Sequence, residues 1–140
     1  MRISKSNSFS NYLWYEGDSK VNRTEGTWTL YRDTVTPNVP TNSIPFVGIL
    51  WHRNTSDGTC DIKYTNIIPN GPENGGYITY GITNQTPYDA FYDIFNKGQV
   101  NLTEIEWNRT NKDGRVRDSL HFGDTNWHCW DTTLVNDTCE

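Results

Sequence analysis

The sequence predicts an all-β chain, a sandwich or an open barrel of short antiparallel strands, and three observations carry that prediction. Strand formers (Thr, Tyr, Trp, Ile, Val) are abundant, whereas the helix formers Ala and Met occur once each, at Ala90 and Met1. Gly26-Thr-Trp-Thr-Leu-Tyr-Arg32 alternates, with Trp28 and Leu30 on one side and Thr27, Thr29 and Tyr31 on the other, the period of a half-buried strand. Turn-rich clusters such as Asn54–Gly58 and Pro69–Gly76 cut the chain at short intervals.

Taken in order, residues 1–11 read as a polar arm or leading edge strand of a single domain spanning 1–140. Tyr12–Tyr15 is a short aromatic strand that Glu16-Gly17-Asp18 ends, and Gly26–Arg32 is the first long strand. Residues 33–45 hold Pro37, Pro40 and Pro45, which cannot donate to a ladder, and so read as a loop or crossover. Phe46–Trp51 is the most apolar run and the candidate central strand; Cys60–Ile68 returns beside it, and Tyr77–Thr83 follows. Residues 87–95 have two readings. Tyr88, Phe91, Tyr92 and Phe95 fall at helical spacing behind a Thr86/Pro87 start, giving one short helix. Alternatively Phe91–Phe95 pairs through Asn96-Lys-Gly98 with Val100–Trp107 as a hairpin, the reading the β surroundings favour. Arg115–Arg117 and Asn126–Leu134 complete the set. Trp51-x-Arg53-x-x-x-Asp57-Gly58 is echoed at Trp107-x-Arg109-x-x-x-Asp113-Gly114, with Asp-Gly supplying the turn and Arg stacking on Trp in each.

Hydrophobic residues make up only 34% of the chain and aromatics 14%, so rings must supply much of the apolar volume. The net charge of −5, with no basic run, argues against nucleic acid as a partner. No apolar stretch approaches the roughly 20 residues that span a bilayer. The first eight residues lack the apolar segment of a signal peptide, so a trimmed leader or a virion origin fits an extracellular or surface setting better than the cytoplasm. Of the cysteines, Cys129 and Cys139 can close a short C-terminal loop, leaving Cys60 free. Six Asn-x-Ser/Thr matches occur, at Asn22, Asn54, Asn84, Asn101, Asn108 and Asn136; chance supplies most of them in an Asn- and Thr-rich chain, and they mean glycosylation only in a eukaryotic secreted protein.

The window His121–Asp131 is densest in chemistry. Trp127, His128, Trp130 and Asp131 form a candidate ligand site, in which a ring covers the apolar side of a sugar and the polar groups bond its hydroxyls. For acid–base work His128 could pair with Asp124 or Asp131. A strand would turn His128 and Cys129 to opposite faces, so no metal is expected, and no cofactor motif is present.

Gly26-Thr-Trp28, heading a strand in an all-β chain, resembles the lipocalin-like families, whose barrels enclose a small apolar ligand. The resemblance covers those three residues. The arginine that packs on that tryptophan in such families finds positions here only at Arg115 or Arg117, and no binding residues carry over. It implies a cavity lined by Trp28, Phe46 and Leu50.

The sequence therefore points first to a non-catalytic surface recognition or assembly module of the adhesin, appendage or virion kind. Its expected partner is a glycan or a protein, or a further copy joined through strand edges. A small-ligand carrier comes second and a small hydrolase using His128 third.

Overall fold

The computed structural model describes residues 1–6, 9–32 and 43–139. The chain is antiparallel β nearly throughout, as expected. Strands β1 (Arg2–Lys5) and β2 (Phe9–Leu13) form a separate hairpin. The next ten are β3 (Tyr15–Ser19), β4 (Glu25–Arg32), β5 (Ile44–Arg53), β6 (Cys60–Asn66), β7 (Tyr77–Ile82), β8 (Ala90–Asn96), β9 (Asn101–Trp107), β10 (Gly114–Asp118), β11 (His128–Trp130) and β12 (Asn136–Asp137). They make one sheet in strict chain order, each strand paired with the one before and the one after it, and β3 and β12 are its two ends. The expected Pro-rich loop falls mostly at 33–42, outside the described residues.

Three local expectations are corrected. Residues 90–96 are a strand, so the short helix near 87–95 gives way to the hairpin. Ladders with β7 and β9 hold both edges of this segment, and Asp89 binds the Arg109 backbone and guanidinium instead of capping a helix. The one helix among the described residues is α1, Ser119–Phe122, capped by Asp118 and ended by Gly123 at φ 77°. Glu16-Gly17-Asp18 does not end a strand but runs inside β3. Phe46–Trp51 lies in β5, paired on both sides but third from the β3 end rather than central.

The echo between residues 51–58 and 107–114 does not hold at its turns either. Gly58 occupies a left-handed turn position at φ 78°, whereas Gly114 opens β10 and Lys112 takes the positive φ of 73°. Arg109 pairs with Asp89 rather than stacking on Trp107.

The register divides the side chains into two faces. One row runs Trp28, Ile49, Tyr64, Ile78, Ile94 across β4 to β8. Beside it runs Trp51, Ile62, Tyr80, Tyr92, Ile105, Val116 across β5 to β10. The opposite face carries Thr27, Leu50, Lys63, Thr79, Asp93, Glu104 and Arg117 in one such row. Alternation of apolar and polar residues normally means that one face packs on a core. Here Ala90 is the only buried hydrophobic residue among those described.

What steadies a sheet with so little covered surface is a set of rings laid on glycines of neighbouring strands. A Cβ on Gly17 would lie 2.9 Å from the Trp28 ring, and one on Gly26 would lie 2.5 Å from Trp51 Nε1. A Cβ on Gly81 would lie 2.9 Å from the Phe91 ring, and one on Gly114 would lie 2.2 Å from the Trp130 ring. Each pair is directly cross-strand. Glycine weakens a strand because it has no side chain to pack, and an aromatic ring lying over it restores the lost contact.

Candidate functional site

The largest organised feature is the apolar face itself. Tyr64, Tyr80 and Tyr92 lie side by side on β6, β7 and β8, their rings stacked with centroids 6.2 and 5.8 Å apart. The neighbouring Tyr80 hydroxyl first, and burial second, raise the Tyr64 pKa above its ordinary value. Ile78 and Tyr80 remain 36% and 41% exposed. The two central rows are free of carboxylates and ammonium groups until Asp118 and His128 at their far ends. Asp118 stays ionised, its charge met by local donors: hydrogen bonds from Thr103 first, and also from Asn101 and the His121 and Leu120 amides, pull its pKa down to about 2.

The four residues proposed from the sequence lie close in the chain but do not converge on one surface. Trp127 stacks beneath the guanidinium groups of Arg115 and Arg117, 4.2 and 4.6 Å from its ring centroid, on the polar face. Trp130 lies over Gly114 on the apolar face, its Nε1 donating to the Lys112 carbonyl at 2.6 Å. His128 stacks on Phe122 at 3.8 Å and faces Asp124 at 3.2 Å. The His128–Asp124 pair of the acid–base reading is therefore formed. Asp131 is not part of it: its carboxylate accepts from the Thr133 and Val135 amides and the Thr133 hydroxyl, holding the turn after β11.

A second histidine–carboxylate pair, unremarked in the sequence, is His52 Nδ1 with Asp61 at 3.1 Å. It borders an open cleft of about 800 Å³ that Arg53, Thr83, Gln85 and Phe91 also line. The cavity implied by the lipocalin resemblance is not built from its expected residues, since Trp28 and Leu50 lie on opposite faces. Cys129 and Cys139 are joined in a disulfide and Cys60 is a free thiol. No helix among the described residues is long and apolar enough to cross a membrane.

On the polar face, Arg115 and Arg117 pair cross-strand with Glu106 and Glu104. Asp93 sits next in the row with no cation of its own. Burial first, then the Glu104 and Glu106 charges, raise its pKa from 3.8 to about 6. The folded chain thus holds this proton to a higher pH than the unfolded one. The resulting stability is fully present below pH 3.8 and is lost as pH rises through about 6. Asp93→Asn is accordingly expected to stabilise the chain at pH 7.5 by on the order of 1 kcal/mol, after allowance for solvent screening at a half-exposed site. It should do nothing at pH 3.5. Urea midpoints of the two proteins at the two pH values check this, and a pH-independent difference would refute it.

The signal for the apolar face was in the sequence, as the period-2 pattern of each strand, but only the register joins those patterns into rows. No family model, curated protein or solved structure matches the chain.

Proposed function

We propose that this chain is a non-catalytic recognition or assembly module that works through the apolar face of its sheet. The observation that supports this most is the near absence of a core. Apolar rows cross the sheet, yet among the described residues only Ala90 is a buried hydrophobic. Soluble monomers rarely expose a contiguous apolar patch of more than a few hundred Å², and larger ones mark interaction surfaces. Stacked tyrosines beside isoleucines suit a protein partner, because rings bury large areas while losing little conformational entropy. A disulfide persists in oxidising surroundings, which favours an extracellular or surface setting.

The test uses an apolar dye such as anilinonaphthalene sulfonate, together with sedimentation. The chain should either bind dye or be associated, and Ile78→Asp should abolish whichever is seen while leaving the strand signal in circular dichroism intact. A monomer that binds no dye, and loses more than about 2 kcal/mol on Ile78→Asp, would be covering this face with its own chain. That result would end the proposal.

A further inference from the structure

We infer that the occupant of the apolar face is a second copy of this chain, the two sheets packing face to face as a sandwich made of two chains. The inference rests on the proposed function above and names its partner.

Area is the first argument. Eight strands, β3 to β10, spaced ~4.8 Å apart and about 7 residues long at ~3.4 Å each, present a face on the order of 900 Å². A standard stable interface takes about 800 Å² from each partner. The whole chain exposes 9461 Å², against ~7,500 Å² for a compact monomer of its mass. Covering one such face would remove a little under half of that difference.

Charge is the second. The net charge is −5, yet Glu16, Asp18, Asp61, Asp93, Glu104 and Glu106 all lie on the opposite face. The apolar face is uncharged over its centre, so two copies can meet there without like charges facing each other, and their acidic faces stay in water. A strongly charged partner would find nothing to pair with.

The edges are the third. Strand addition needs a long open ladder. Strand β12 has two residues, and the cross-linked Cys139 lies two positions beyond its end. The outer edge of β3 is bonded at Tyr15 by Met1. Face packing is therefore better served than the edge pairing expected from the sequence. Two such sheets would lie about 10 Å apart with their strands inclined by about 30°. The contact would be isologous, each copy offering the same surface.

Sedimentation equilibrium of the intact chain at micromolar concentration is expected to give twice its 16.2 kDa mass. Ile78→Arg should weaken dimerisation by at least ~100-fold, because it buries an unpaired charge. Thr79→Arg, on the same strand but facing the other way, should leave the dimer intact. Should Ile78→Arg fail to fold, hydroxyl-radical footprinting of the native chain decides: Tyr64, Tyr80 and Tyr92 gain reactivity on dilution to monomer. A monomer at all concentrations that binds dye overturns the dimer and leaves the docking surface standing. A monomer that binds no dye and protects those tyrosines overturns both. A dimer that survives Ile78→Arg with an unchanged footprint overturns the inference.

Discussion

Gly114→Ala is expected to cost about 3 kcal/mol, the upper end of what overpacking costs, although it adds one methyl group to a strand. The new Cβ would lie 2.2 Å from Trp130 Cζ2 and 2.5 Å from the Glu106 carbonyl oxygen. The ring is tied by its Nε1 bond to Lys112, and the carbonyl belongs to the adjacent strand β9, so neither gives way cheaply. Gly58→Ala makes the fitting comparison. Its Cβ meets nothing within 4 Å, and its positive φ should cost only about 1 kcal/mol. Urea denaturation of the two variants should separate their midpoints clearly. Adding Trp130→Ala to Gly114→Ala should recover part of the loss, since one of the two clashes is gone, and the double variant should be more stable than additivity predicts. Equal midpoints for Gly114→Ala and Gly58→Ala would mean that the ring does not lie on Gly114.

The same pairing explains what could and could not be read from the sequence. Strand content, the alternation of Gly26–Arg32, the hairpin joining residues 91–95 to 101–107 and the link between Cys129 and Cys139 all depend on local pattern or short spacing. Gly17 and Gly114 read as turn residues in the sequence, because glycine beside aspartate usually marks a turn. What keeps them in strands is a tryptophan eleven or sixteen residues away, and that contact exists only once the register is known. The bareness of the apolar face was hidden for a different reason. A strand with one apolar face has the same sequence whether that face meets a second sheet of its own chain or a partner. The window at 121–131 is dense in reactive groups. Most of them are spent on closing the end of the sheet: Trp127 under two arginines, Trp130 over a glycine, Asp131 in a turn.

The end of the sheet is also where the largest single covalent effect is expected. Strand β12 pairs with β11 through only two residues, Asn136 with Trp130 and Asp137 with Cys129, too few to hold a strand unaided. The Cys129–Cys139 bond, spanning ten residues, removes the freedom those residues would have in the unfolded chain, by about 2–3 kcal/mol in the loop-entropy account. Its loss also loosens the strand that carries Trp130 onto Gly114, so the damage should reach β10 rather than stop at the terminus. Replacing both residues with alanine is therefore expected to lower the melting temperature by roughly 5–10 °C. Cys60→Ala, which removes a half-buried thiol outside the bridge, should have a much smaller effect. Hydrogen exchange adds the spatial test: the amides of Arg115 to Arg117 should exchange faster in the double-alanine chain, while those of β6 and β7 keep their rates. If the melting temperature holds and only the amides beyond Asp131 speed up, the bridge pins the tail alone, and the C-terminal strands do not belong to the cooperative unit.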